Sequence, residues 1–495
     1  VKTAEAIESD WLALRAALAP TSPALIDADS GRAVSWRALD AAASQAASDW
    51  NLTPGSLLAI HEDNPFCVAV ALFATLRSAA VAVVLNRRLK DDERRQQHEQ
   101  IGSPIVAGIP LEASEPALSI VLPDFDIREI IESKPAVGLF DRALRERLLS
   151  SRRDVGDTPA LGLFTSGTTG RSRCAVLPRR ALLASAVATS ALLDELPLDR
   201  WLACMPLFHI GGLSILLRAV VSGAPVVLLG TFDAAAVARA NERFKPTLAS
   251  FVPTMLSRLL DDGAAPGALR ACLIGGAAAP RNLLVRAVAA GWPVLATYGL
   301  TEAASQVATA RTFAPADDGV VGPPVPGATI TIARPDADGV GEVVVDAATL
   351  MLGYLDPHTA RLEIMHAPLH TGDLGRLNVD GALQLFARRS DLIITGGENV
   401  YPAEVELALA GCGAVAEAAV VGLPDNEWGQ IVAAAIVLAP GATLADVGAF
   451  ASAALAPHRR PRRLVAVTSL PRNSLGKLDR NAVRALFVAQ ATSPT

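Results

Sequence analysis

From position 224 to 299 the chain alternates four short apolar runs, 224–230, 247–253, 271–277 and 293–299, with segments of helical length and mixed polarity at 233–243, 254–262 and 280–290. Near-continuous apolar runs are strands covered on both faces, and helix-length spacers between them mean βαβ crossovers and a parallel sheet. Residues 22–110 show a similar alternation and predict a second layered α/β unit. The longest apolar stretch, 66–85, is interrupted by Arg77 and reads as a buried helix running into a strand, not as a membrane span. Beyond Thr312 the texture changes to Gly/Pro-rich turns with strands at 329–333 and 341–346, which predicts a small antiparallel sheet or barrel. From about Ser390 a compact α+β unit begins: a hairpin at 395–401, a helix from Pro402, a strand at 431–438 and a final part at 459–477. The expected fold is α/β, with a large domain at 1–389 made of two layered α/β subdomains plus a small β-barrel-like sheet, and a small α+β domain at 390–495.

Composition narrows the possibilities. A chain of 495 residues exceeds what one core supports, so two or more domains are expected. A net charge of −6 disfavours nucleic acid as a partner, although local cations can still hold a small anion. Cys67, Cys174, Cys204, Cys272 and Cys412 are scattered singly, so neither a disulfide framework nor a zinc site follows. The mixed, acidic opening lacks the basic and then apolar character of a secretory signal, giving the expectation of a cytoplasmic protein; a homo-oligomer stays open. Lysine occurs only at Lys2, Lys90, Lys134, Lys245 and Lys477, so 39 of the 44 basic residues are arginine. A lysine in a chemical context is therefore informative.

Candidate chemistry begins at 164–173, which reads Phe-Thr-Ser-Gly-Thr-Thr-Gly-Arg-Ser-Arg directly after an apolar run. Gly167 and Gly170 let backbone approach a ligand, Thr165, Ser166, Thr168 and Thr169 offer hydroxyls, and Arg171 and Arg173 supply charge. Such a loop suits a polyphosphate, though the same residues also make a polar turn. It is not the kinase or GTPase version, because no glycine stands five positions before Gly170 and the Lys-Ser/Thr pair is missing. Four further segments stand in order behind it. Tyr298-Gly299-Leu300-Thr301-Glu302 ends a predicted parallel strand, where open α/β sheets place ligands. Thr371-Gly372-Asp373 offers a carboxylate suited to two ribose hydroxyls, and Arg388 opens a run that leads through Ser390 and Asp391 to a glycine hairpin at Gly396, Gly397 and Glu398. Pro471 to Lys477 presents a rare lysine on a glycine-hinged loop.

Together and in this order, these segments resemble the signature set of the adenylate-forming superfamily of acyl- and aryl-CoA synthetases, luciferases and peptide-synthetase adenylation domains. The resemblance runs from Ala24-Leu25-Ile26-Asp27 to Lys477 and implies ATP, Mg²⁺ and CoA as cofactors and co-substrate. The chemistry asks two anions to meet: like unit charges about 4 Å apart repel by roughly 4 kcal/mol at an effective dielectric near 20, which cations must offset. The resemblance implies that Lys477 bridges the acid carboxylate and the α-phosphate, that Glu302 holds Mg²⁺, and that Thr165 to Gly170 cradle the outer phosphates. It further implies that Asp373 and Arg388 bind ribose, while Gly275, Gly276, Ala277, Tyr298, Gly299 and Thr301 surround the adenylate. A mobile C-terminal domain swings at Ser390 or Asp391 for the second step, in which Gly396, Gly397 and Glu398 line the pantetheine path. Similarity to aryl-CoA ligases points to Arg88, Trp428 and Arg460 for the nucleotide end of CoA. The usual Pro-Lys ending of the phosphate loop is replaced by Ser172-Arg173, which keeps a charge but alters its geometry.

His209 stands where amino-acid-activating relatives tend to carry an aspartate, which disfavours an amino acid; a histidine there resembles the CoA ligases, bordering acid and thiol. The stretch from Pro206 to Arg218 and the extension Glu302-Ala303-Ala304-Ser305-Gln306 resemble one branch most, the o-succinylbenzoate CoA ligases of menaquinone synthesis. Its substrate carries a second carboxylate, so polar donors are needed in the acid pocket. Ser214 and Arg218, four apart on a predicted helix, share a face, and Ser305 and Gln306 complete the expected set. The alternatives are another aryl- or medium-chain acyl-CoA ligase and a non-catalytic sensor of acyl adenylate or nucleotide.

Overall fold

A computed structural model describes residues 3–89, 91–102, 105–108, 138–150, 157–165, 172–311, 319–356, 358–388, 391–395, 398–425, 428–472 and 478–491. The chain divides into two compact units, one of residues 1–331, 344–369 and 378–383, the other of 332–343, 370–377 and 384–495.

Two large sheets build the first unit. The four apolar runs become Val226–Leu228, Leu248–Phe251, Ala271–Ile274 and Val294–Leu300, and the segments between them become the helices Ala234–Phe244, Pro253–Asp261 and Arg281–Ala289. With Trp201–Ala203 they form the parallel centre of an eight-stranded sheet, which ends at one edge in the antiparallel strand Ser305–Thr309. The opposite edge corrects the reading of 22–110 as one unit. Pro23–Asp27 lies parallel to Val226–Leu228 and carries Ala33–Ser35 outside it, so this stretch supplies strands to two different sheets. Leu57–His61, Val81–Val84 and Ile105–Gly108 join Pro159–Thr165, Arg173–Pro178, Gly353–Leu355 and Leu362–Ile364 in a seven-stranded sheet. The apolar stretch 66–85 becomes the helix Pro65–Arg77 followed by the strand Val81–Val84.

Two helices, Arg179–Leu193 and Ile210–Ser222, pack against each other, and the first touches strands of both sheets. Both are buried nearly all round, as apolar helices between two layers must be. The second ends at Gly223 in the left-handed conformation. There the buried Arg15 donates from Nε to the Val220 carbonyl and from Nη2 to the Val221 carbonyl, each at 2.8 Å, placing positive charge at the helix's negative end.

A five-stranded sheet, ordered Val320–Gly322, Leu383–Arg388, Leu369–Leu377, Gly341–Ala347 and Ala328–Ala333, contributes residues to both units. The second unit also holds a sheet of Glu398–Val400, Ile393–Thr395, Gly429–Leu438 and Val415–Asp425, with Arg463–Ala466 parallel to Gly429–Leu438. The helix Pro402–Ala410 starts at the predicted proline, and a capping box at Thr443 and Asp446 starts Leu444–Ala454. Among the described residues, no helix is long and apolar enough to cross a membrane.

Candidate active site

The segment expected to bind phosphate is the connection of a hairpin. Thr165 ends one strand, Arg173 begins the next, the two residues are paired in register, and the Thr165 hydroxyl donates to the Arg173 carbonyl at 3.3 Å. Ser166, Gly167, Thr168, Thr169 and Gly170 lie outside the described residues, as do Ser390, Gly396, Gly397 and Lys477. The Arg173 guanidinium lies over the Tyr354 ring, 3.7 Å from its centroid, with the Glu363 carboxylate also 3.7 Å away.

Glu302 sits in a 3-10 turn, Thr301–Ala303, that links Val294–Leu300 to its antiparallel partner Ser305–Thr309. The turn is tight enough that Ala304 and Ser305 take positive φ, at 51° and 112°. Gly299 is required there: a Cβ on it would lie 2.0 Å from the Ser305 carbonyl oxygen. Three contacts fix the turn from outside. The Ser185 hydroxyl donates to the Ala304 carbonyl at 2.6 Å, the Met351 amide to the Glu302 carbonyl at 2.9 Å, and the Tyr354 hydroxyl to Glu302 Oε1 at 2.8 Å. Glu302 is half-buried, and among the described residues no donor contacts its Oε2.

The neighbouring strand end forms a shelf. Gly275 leaves Ala271–Ile274 so close to the next strand that a Cβ would lie 2.6 Å from Thr297 Cγ2 and 2.9 Å from its carbonyl oxygen. Gly276 and Ala277 are exposed, whereas Tyr298 is buried.

The four residues expected around the acid lie in the same unit, and three touch. Arg218, 2% exposed, donates from Nη2 to the Ser305 hydroxyl and to Gln306 Oε1, both at 3.2 Å, and its guanidinium lies over the Trp201 ring. Gln306 Oε1 also accepts from the Thr189 hydroxyl at 2.8 Å, while Nε2 donates to Thr309 at 2.9 Å and Thr297 at 3.3 Å. Ser214 is buried on the same helix and turns its hydroxyl back to the Gly211 carbonyl at 3.4 Å. Burial pushes the Arg218 guanidinium down to about 10, opposed by the negative charge of Glu195. Burial in turn raises the Glu195 carboxyl above its ordinary range, against the hydrogen bonds from Ser190 and Trp201 and the charge of Arg218. Glu195, Thr189, Thr297 and Tyr354 carry no local motif; a buried polar side chain is visible only once the fold has buried it.

His209 is the half-buried N-cap of the Arg218 helix, with its ring edge-on to Phe208 at 4.5 Å. The Arg88 guanidinium lies over the same phenyl ring, 5.7 Å from its centroid. In the second unit, Asp373 lies half-buried on Leu369–Leu377, its amide donating to the Thr371 hydroxyl at 3.1 Å, and Arg388 closes the strand Leu383–Arg388. Asp391 pairs with Arg480 at 3.4 Å and Arg484 at 3.8 Å, and Glu398 is exposed on the short hairpin. Around Trp428 the stacking cation is Arg462, 4.1 Å from the ring centroid, while Arg460 Nε donates to the Leu455 carbonyl at 2.9 Å.

A family profile described as AMP-binding enzyme matches residues 12–355, and one described as AMP-binding enzyme C-terminal domain matches 404–477. A 2-succinylbenzoate–CoA ligase of Bacillus cereus is 34% identical over 447 residues, covering 87% of this chain and 88% of its own. The solved o-succinylbenzoate CoA synthetase of Bacillus subtilis in complex with the acyl-adenylate intermediate OSB-AMP superposes with a TM-score of 0.81 at 33% identity, covering 96% of this chain and 98% of its own. The same enzyme in complex with ATP and magnesium ion gives 0.79 at 32% identity, with 95% and 98% covered.

Proposed function

The chain belongs to the AMP-binding enzyme family, and on that premise we propose that it is an ATP-dependent acid–thiol ligase that converts o-succinylbenzoate to its CoA thioester through an acyl adenylate, releasing pyrophosphate and AMP. One observation carries the reading: a single strand turn carries the half-buried carboxylate of Glu302 and, a few residues on, Ser305 and Gln306, which hold the buried Arg218. That combination suits an acid whose reacting carboxylate meets ATP while a second carboxylate needs a cation.

Each residue then has a task. Gly275, Gly276, Ala277, Tyr298, Gly299 and Thr301 enclose the adenylate, and Asp373 and Arg388 hold the ribose. The residues from Thr165 to Gly170 cradle the outer phosphates until pyrophosphate leaves. Glu302 fits a magnesium site because Mg²⁺ takes one or two protein carboxylates and fills its shell with phosphate oxygens and water, and Glu302 is a single accessible carboxylate. When bound, Mg²⁺ neutralises charge on the phosphates. Lys477 stabilises the charge that develops between acid and α-phosphate and withdraws when 390–495 moves relative to 1–389 about Ser390 or Asp391. His209 borders the acid pocket and the thiol's approach; Gly396, Gly397 and Glu398 line the thiol's path, and Arg88, Trp428 and Arg460 receive the CoA nucleotide. Ser214, Arg218, Ser305 and Gln306 bind the acid's distal part.

The test is pyrophosphate release across a panel of carboxylic acids with ATP and CoA. Turnover with o-succinylbenzoate is the expected result; turnover with plain benzoates or fatty acids alone assigns the chain to another aryl- or acyl-CoA ligase, and none with any acid marks a non-catalytic binder. Lys477→Ala is expected to abolish adenylation while thioester formation from supplied acyl adenylate persists, and equal loss of both steps contradicts the role given to Lys477.

A further inference from the structure

The replacement of the phosphate loop's terminal lysine by Arg173 has a structural consequence at the other end of a short chain of contacts. The Arg173 guanidinium lies 3.7 Å from the Tyr354 ring centroid, closer than any other cation–ring pair among the described residues. Tyr354 in turn spends its hydroxyl on Glu302 Oε1 at 2.8 Å. The glutamate is thereby joined, through one phenol, to the residue that closes the phosphate hairpin.

We propose that Tyr354 and Arg173 form a positioning unit for the Glu302 carboxylate: Arg173 holds the Tyr354 ring, and the ring's hydroxyl fixes one carboxylate oxygen so that the other faces the metal–nucleotide complex. The inference rests on the reading of Glu302 as the magnesium-holding carboxylate. A planar guanidinium suits this task because it can lie flat on an aromatic face, where an ammonium acts as a hydrated point charge. Tyr354 is itself restrained, since its strand Gly353–Leu355 is paired on both sides, with Arg173–Pro178 and with Leu362–Ile364. Glu363, 3.7 Å from Arg173, supplies the opposite charge from the outer strand. Hydrogen-bond partners that orient a metal-binding carboxylate are worth roughly ten- to a hundredfold in metal affinity, so the unit has a measurable effect without touching substrate. It also explains how an arginine can stand at the loop's end: its charge is committed to holding a ring.

The experiment compares the full-length protein with Tyr354→Phe, Arg173→Met, Arg173→Lys and Glu302→Gln. The readout is binding of Mn²⁺ with a non-hydrolysable ATP analogue, followed by electron paramagnetic resonance, together with the Mg²⁺ dependence of pyrophosphate release and the KM for the acid. Tyr354→Phe is expected to weaken Mn²⁺ binding roughly tenfold. Arg173→Met is expected to weaken it severalfold and Arg173→Lys to recover only part, with the KM for the acid unchanged in all three. Arg173 is about half exposed, so its substitution tests the unit without a risk to folding. Unchanged Mn²⁺ binding in Tyr354→Phe and Arg173→Met, with binding lost in Glu302→Gln, overturns the positioning unit alone. Unchanged binding in Glu302→Gln overturns the metal role of Glu302 itself. A fall in the acid's affinity equal to that in Mn²⁺ affinity assigns Tyr354 a general structural role and also rejects the proposal.

Discussion

The two sides of the turn at 299–306 are built on opposite principles. On the acid side, Gln306 uses both ends of its amide, serving Arg218, Thr189, Thr297 and Thr309, and every one of these contacts lies in the interior or at its edge. On the phosphate side, Glu302 is half-buried and tied by one phenol, and its stacked arginine is partly in solvent. Each orphaned buried group costs about 1–3 kcal/mol, and among the described residues the acid side leaves one in Arg218 Nε. A group that must exchange its partners during a reaction has to remain incompletely satisfied. On the proposed roles, fixed shape serves to distinguish an acid, and accessibility lets a metal and phosphates come and go.

Removing the hub should expose that difference most. Gln306→Leu deprives a buried guanidinium and three threonine hydroxyls of a partner at once, and a loss of about 4 kcal/mol is expected in urea unfolding. A loss below about 1 kcal/mol would break the comparison by making the acid side as tolerant as the phosphate side. Next is Asp199→Asn, which cuts the buried end of the Asp199–Arg270 pair in the same unit, at a cost of about 3 kcal/mol. Burial alone would raise the Asp199 carboxyl, but Arg270, Thr247 and the Leu196 amide outweigh it and hold it below 3.8. A depressed carboxyl contributes stability that is complete above its unfolded value and lost as pH falls through the folded one. Acid titration of unfolding should therefore show a loss below about pH 4 that Asp199→Asn removes.

Gly299→Ala comes third. Its Cβ would meet the Ser305 carbonyl, and an expected cost of about 2 kcal/mol comes with a lowered kcat because the turn carrying Glu302 shifts. Glu302→Gln should have the smallest effect on unfolding, within about 0.5 kcal/mol, because the amide oxygen still accepts from Tyr354. Its adenylation rate, followed by ATP–pyrophosphate exchange, is nevertheless expected to fall by about a hundredfold. A stability loss as large as that of Gln306→Leu would erase the contrast between the two sides.

Part of this was legible in the chain. Glycines at 275 and 299 mark close backbone approaches, and the alternation of apolar runs and helices at 224–299 reads directly as a parallel sheet, because both signals are local. The helix of 210–222 and its pair Ser214 and Arg218 were readable for the same reason, as was the strand end that carries Glu302. Val415–Asp425 was harder to read: Gly422 and Pro424 interrupt its apolar stretch, and it is a strand over that length because Gly429–Leu438 pairs along it.

Sequence by itself determined which residues could do chemistry, because hydroxyls, carboxylates, rare lysines and glycines declare their properties at their own positions. Tertiary structure alone decided which of them meet. Pro23–Asp27 joined a sheet in which every other strand but Ala33–Ser35 lies far along the chain, and Thr189 found Gln306 across 117 positions. Tyr354 acquired a task from Glu302 and Arg173, neither of which is near it in sequence. Hydrophobic burial selects sheet partners by shape and area without regard to chain separation, and only after that burial does a polar side chain need a particular neighbour.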